Sequence, residues 1–225
     1  AYCIRVTFSM NCIKNTGFSY LGTRNYVNST SIIEFVHDNI SIFISGLSID
    51  YFLDIKMHKE MKVNCRVDVY SSYHEYNDET VICEVVLKFN NDKRFVYFLS
   101  NHKAISQNTV DSTYHTEEID LYGKFSGRYR IASSSYNEFI KNIIQSNKVL
   151  HLKNIALGKF KILNIFMKNI PVELPKYMNM LDIEITNIGI RDTADGSFST
   201  LNSINIIEMS LEPILVGFRV VRLGT

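Results

Sequence analysis

The chain has 225 residues, of which 46% are hydrophobic and 21% charged. Lys and Arg number 24 against 23 Asp and Glu, a formal net charge of +1. This balance excludes a disordered chain and excludes nucleic-acid binding through bulk charge alone. No run of about 18 apolar residues is present, so no membrane-spanning helix is expected. Ile occurs 28 times and Asn 21 times, Ala only five times, and Trp is absent. Residues of AT-rich codons are thus abundant, as in an AT-rich genome such as a viral one. The excess of β-branched and aromatic residues favours strands.

In chain order, Tyr2–Phe8 opens as a strand, followed by a stretch containing Gly, Asn and Ser. Ser31–Val36 and Asn39–Ile49 are predicted strands; in the second, Ile40, Ile42 and Ile44 recur with a period of two. Met61–Tyr70 alternates as well, with Val63, Cys65, Val67 and Val69 on one face. Thr80–Phe89 and Lys93–Leu99 flank Asn90-Asn91-Asp92, a turn that tolerates positive φ, and so predict a hairpin. Tyr136, Phe139, Ile140, Ile143, Ile144 and Leu150 recur at helical intervals behind Ser135, with Glu138 at the capping-box position. This predicts one amphipathic helix over about 136–150. Further strands are expected at Lys159–Lys168, Leu181–Arg191, Ser203–Leu211 and Ile214–Arg222, with a turn at Asp195-Gly196. Eight to ten strands and one helix, without an internal repeat or a linker, predict a single jelly-roll-like β-sandwich domain over 1–225.

Local catalytic motifs are absent: no HExxH, GxSxG or GxxxxGK[ST] occurs. Gly123-Lys124-Phe125-Ser126-Gly127 has neither phosphate-loop spacing and is read as a turn. His74-Glu75 with Asp78-Glu79, and His115 with Glu117, Glu118 and Asp120, are polar runs better explained as solvated loops than as metal ligands. The cysteines Cys3, Cys12, Cys65 and Cys83 form no CxxC pair, and reduced thiols are expected. No cofactor, no metal and no enzymatic activity are expected from these features.

One charge feature points to a ligand. From Phe139 to Val172 there is no acidic residue, while Lys141, Lys148, Lys153, Lys159, Lys161 and Lys168 occur there. Arg128 and Arg130 lie just upstream. Such clustering is the usual electrostatic footprint of phosphate binding, so these eight residues are the candidate nucleic-acid contacts. The plainer account is an ordinary solvated surface.

The order of features at 31–107 resembles a known core. A hydrophobic strand ends at Ser45-Gly46-Leu47, and Val67-Asp68 closes a later strand. Lys93-Arg94-Phe95-Val96-Tyr97 then leads into Asn101-His102-Lys103-Ala104-Ile105-Ser106. This succession resembles the core of the 30K superfamily of plant-virus cell-to-cell movement proteins. The resemblance implies a jelly-roll-like fold, single-stranded RNA as partner, self-association, and contact with host membranes or membrane proteins at endomembranes and plasmodesmata. It also implies structural roles for Gly46 and Asp68, the latter ordering a turn by accepting backbone N–H groups. A non-enzymatic RNA-binding movement protein is therefore the expected function. The alternatives are a viral capsid or matrix jelly roll and, from the sequons at Asn28 and Asn39, a secreted β-sandwich that binds a host protein.

Overall fold

A computed structural model describes residues 11–13, 16–21, 24, 26–44, 51–76, 79–89, 92–105, 107–110, 114–155, 160–172, 180–193, 196–207 and 209–222, with backbone alone at 11–13, 21 and 102. The chain divides into two compact units, 1–111 and 112–225. The first holds β1 (Asn11–Ile13), β2 (Tyr20–Leu21), α1 (Ser29–Asp38), α2 (Ile40–Phe43), β3 (Tyr51–Met57), β4 (Val63–Tyr70), β5 (Val81–Phe89), β6 (Asp92–Ala104) and β7 (Asn108–Thr109). The second holds β8 (Thr116–Leu121), β9 (Gly127–Ala132), α3 (Tyr136–Asn154), β10 (Phe160–Pro171), β11 (Met180–Asp192), β12 (Phe198–Ile206) and β13 (Ile214–Arg222).

In the first unit the strands run in the order β1-β4-β6-β5-β3, each antiparallel to its neighbour. The predicted hairpin is present, with Phe89 opposite Asp92. Residues 31–36 and 40–43, predicted as strands, are helical instead. The reason is the face they bury. Thr30, Ile32, Ile33 and Val36 are buried together, and Phe35 packs edge-on to Phe98 at 5.9 Å. Ile and Val suit a strand by propensity, but burial of one helical face against the sheet outweighs a few tenths of a kcal/mol per residue. Residues 45–49 and Gly46 lie outside the described residues, as do Tyr2–Phe8.

In the second unit the order is β10-β13-β12-β11-β9-β8, again antiparallel throughout. Here α3 covers one face of the sheet. The predicted helix is found and runs four residues further, to Asn154. Ser135 accepts a hydrogen bond from the Glu138 N–H at 3.3 Å, while the Glu138 carboxylate accepts from the Ser134 N–H and hydroxyl. These donors hold the Glu138 carboxyl below its ordinary pKa.

The jelly-roll sandwich is thus corrected. The apolar face of each sheet is closed by a helix rather than by a second sheet. Both units place strands before their helical segment and at least four strands after it, which no sequence repeat announces. The strand neighbours nevertheless differ: β4 pairs with β6 in the first unit, whereas β11 pairs with β12, the next strand in the chain, in the second.

One close approach fixes the path of β10. A Cβ built on Gly217 of β13 would collide with the Phe166 ring, beside the β10 irregularity between Asn164 and Phe166. Gly217→Ala is therefore expected to destabilise the protein by about 1–3 kcal/mol. Urea denaturation checks this, and Phe166→Leu in the same chain should recover part of the loss.

Candidate active site

Helix α3 turns four buried polar side chains toward its sheet: Asn142, Ser146, Asn147 and His151. Their spacing of four, one and four places them on one helical face, among Phe139, Ile143 and Leu150. Opposite them on β12, Thr200 and Asn202 share a face because they are two apart, and both are buried. A polar seam therefore runs through what would otherwise be an apolar core.

Its hydrogen bonds are explicit. Asn142 donates to the Ala132 carbonyl at 2.7 Å and accepts from the His115 N–H at 3.1 Å, tying α3 to the start and end of the β8–β9 pair. Asn202 donates to Asn147 Oδ1 at 2.7 Å and accepts from Asn187 Nδ2 at 2.7 Å. His151 Nδ1 lies 2.7 Å from the Asn147 carbonyl oxygen, and Nε2 lies 2.7 Å from Thr200 Oγ1. A carbonyl only accepts, so Nδ1 carries the proton. In the neutral ring Nε2 is then the acceptor and the Thr200 hydroxyl the donor. Two buried atoms of the seam, Ser146 Oγ and Asn147 Nδ2, have no partner among the described residues.

Aromatic rings enclose the imidazole. Phe125 stacks on it at 4.7 Å and 20°, and Phe218 approaches at 5.2 Å. Burial holds the His151 pKa below its ordinary value of 6.5, opposed by the bond to Asn147. Between that lowered value and 6.5 the unfolded chain binds a proton that the folded chain does not. Stability is therefore expected to fall as pH drops below about 6.5, by at most about 1.4 kcal/mol per pH unit. Urea titrations at several pH values check this, and His151→Gln should flatten the slope.

A second polar cluster lies in the first unit, on the sheet face turned away from α1. Asp68 accepts from Arg66 at 3.0 Å and from the Tyr76 hydroxyl at 2.9 Å; Tyr76 in turn meets the Tyr70 hydroxyl at 2.8 Å. The His74 ring stacks on Tyr70 at 4.6 Å. Tyr70, Val81, Tyr97 and Leu99, with Tyr76 packed against them, form a small core that fastens the segment after β4. Asp68 thus orders a loop through a side-chain hydroxyl rather than through backbone N–H groups. Burial and the hydrogen bonds to Tyr70 and Asp68 push the Tyr76 hydroxyl's pKa up, which makes it a poor nucleophile.

The predicted basic residues do not share one surface. Arg128 and Arg130 project from β9 on the face opposite Tyr129 and Ile131, which are buried on the α3 side. Both guanidinium groups bond Asp182, at 2.9 Å and 2.8 Å, and hold its carboxyl below the ordinary pKa. Lys161 and Lys168 of β10 also lie on the face away from α3, since Ile162 and Met167 pair with the buried Val220 and Val216. Lys168 sits 6.0 Å over the Phe166 ring. Lys141, Lys148 and Lys153 are on α3 itself, on the other side of the sheet, with Lys153 bonded to Glu118. Lys159 lies outside the described residues. Cys65 and Cys83 are free and buried, which pushes the Cys65 thiol up to about 12 and Cys83 upward as well.

No protein-family model and no curated protein matches the chain. Among solved structures it is similar to a conserved protein of unknown function with a hot dog fold from Alicyclobacillus acidocaldarius, at 8% identity and a TM-score of 0.47, covering 89% of this chain and 88% of that one. It is similar to the dehydratase domain of the CurJ module of Curacin polyketide synthase, at 10% identity and a TM-score of 0.45, covering 97% and 86%. It is also similar to the tesB protein of Mycobacterium avium subs paratuberculosis, at 6% identity and a TM-score of 0.43, covering 97% and 96%. At these values the likeness assigns no chemistry to any residue.

The movement-protein expectation is corrected by these findings. The chain builds helix-backed antiparallel sheets instead of a sandwich, and no family model matches. The capsid and secreted-sandwich alternatives fall with the sandwich. RNA and host membranes, implied by that resemblance, fall with it. The non-enzymatic expectation is corrected too. It rested on the absence of local motifs, whereas His151 and Thr200, which are 49 residues apart, meet only in the fold. Neither residue has a local partner in the sequence that would mark it.

Proposed function

We propose that the protein is an enzyme of acyl transfer that hydrolyses a small ester or thioester at the α3 seam. The observation that carries this is the relay of Thr200 hydroxyl, His151 imidazole and Asn147 carbonyl, with both bonds at 2.7 Å. A hydroxyl is a weak nucleophile until an adjacent base takes its proton, and the base works best when a third group fixes its tautomer. Here the Asn147 carbonyl fixes Nδ1–H, and burial keeps the ring neutral and therefore basic at Nε2.

In the step so defined, Thr200 Oγ1 forms a bond to the acyl carbon as its proton passes to His151 Nε2. The bond from the acyl carbon to sulfur or oxygen breaks, and Nε2 returns the proton to the leaving group. Water then takes the same route and frees the acid and the Thr200 hydroxyl. The unspent donor of Asn147 Nδ2, one helical turn before His151, is suited to the developing oxyanion. The rings of Phe125 and Phe218 supply apolar walls for an acyl group. His151 and Thr200 are 0% and 3% exposed, so substrate reaches them only when a side chain that covers them moves aside.

The test is release of acid from a panel of acyl p-nitrophenyl esters and acyl thioesters, from acetyl to dodecanoyl. Saturable release from at least one member is expected. Release no faster than in buffer across the whole panel would sink the proposal.

A further inference from the structure

The turn between β8 and β9 holds a conformation that a bulky side chain rarely adopts. Phe125 has φ 59°, in the left-handed region, and is nevertheless 1% exposed. Gly123, two residues earlier, has φ 92°. The turn is closed by the Tyr122 N–H donating to the Ser126 carbonyl at 3.2 Å. It is pinned to β11 by the Asn187 N–H donating to Ser126 Oγ at 3.0 Å. Left-handed backbone at a residue with a large side chain is strained and persists only where its surroundings impose it.

What the strain maintains is visible in the packing. The Phe125 ring lies flat on the His151 imidazole at 4.7 Å, with Phe198 stacked on Phe125 at 5.7 Å. The exposed Lys124 places its ammonium 5.4 Å from the centre of the same ring. The imidazole is therefore walled by one residue of a short surface turn, whereas Phe198 and Phe218 belong to strands. Of these three rings, Phe125 alone lies outside a strand.

We infer that Phe125 is the cover of the His151–Thr200 pair and sets the size of the group that reaches it. The size-setting part rests on the acyl-transfer proposal above; the covering part does not. Strain at this position favours withdrawal of the ring, and stacking on His151 favours its return. A large group enters only when the ring has withdrawn.

Labelling of His151 by diethyl pyrocarbonate, read by peptide mass spectrometry near pH 7, tests the cover without any need for activity. His58 and His115 in the same digest serve as references. Phe125→Gly, which relieves the left-handed strain and removes the ring, is expected to label His151 at least about tenfold faster relative to those references. Phe125→Leu keeps bulk over the ring and is expected to stay near the parent rate. His58 and His115 are exposed in the folded chain and do not report unfolding, so far-UV circular dichroism on the same samples does; if Phe125→Gly unfolds, Phe125→Ala, compared with Phe125→Leu at lower temperature, decides. Unchanged relative labelling in folded Gly and Ala variants would overturn the cover, whether or not thioesters are cleaved. With the acyl panel, Phe125→Gly is expected to shift preference toward longer chains. Cleavage with an unshifted profile would overturn the size-setting role. Faster labelling without acyl release by any form would support the cover and remove the acyl-transfer proposal alone.

Discussion

Thr200→Val is expected to lower acyl release by about 10²–10⁴-fold, whereas Thr200→Ser stays within about tenfold of the parent. Valine matches threonine in shape and lacks only the hydroxyl, so the loss reports the proton that His151 takes. The effect should fall on kcat with KM nearly unchanged, because the missing interaction is made as the bond forms. His151→Gln should cost about as much alone as in combination with Thr200→Val, since the two side chains act as one unit. Valine also leaves Nε2 of a fully buried imidazole without a donor, which costs about 1–3 kcal/mol of stability. Melting curves on the same samples separate the two effects. A destabilised Thr200→Val that retains its rate would make the hydroxyl a fastening of the core and nothing more.

The largest loss of stability is expected from Asn202→Ala. Asn147 and Asn202 are both 0% exposed, and the Asn147–Asn202–Asn187 chain joins α3, β12 and β11. Alanine removes both hydrogen-bonding atoms of the middle member. It leaves Asn147 Oδ1 unpaired inside the core and opens a cavity. Together these cost about 3 kcal/mol, or roughly 10 °C in Tm for a chain of this size. The double variant Asn147→Leu/Asn202→Leu removes donor and acceptor together. It is expected to cost less than the sum of the single variants, with a coupling of about 1–3 kcal/mol. A loss below about 1 kcal/mol for Asn202→Ala would show that the amides are separately solvated and not one network.

The seam explains why a motif search could not reach the site. A nucleophile elbow or a zinc helix keeps its reactive groups within a few residues, so a pattern records them. Here the base sits on a helix and the hydroxyl on the third strand after it, and only the docking of α3 across β12 joins them. Buried Asn142, Ser146, Asn147 and His151 also interrupt the apolar stripe of α3, and in sequence they resemble its wet side. The acid-free run from Phe139 to Val172 misled for the same reason. Its lysines are contiguous in sequence, but the sheet divides those of α3 from those of β10.

Some elements were determined by the sequence alone because their causes are local. The Ser135 cap and the helical period place α3, the turn before Asp92 pairs β5 with β6, and the alternation at Cys65, Val67 and Val69 gives β4 its buried face. A period of 2.0 or 3.6 states which side of an element is apolar and leaves open what covers it. Only the tertiary structure decided that helices, and not a second sheet, close those faces. It likewise made residues 31–36 helical against their strand propensity. It brought His151 to Thr200 and held Phe125 in a left-handed turn above them. Each of these depends on contacts between residues far apart in the chain, whose free energy no local stretch contains.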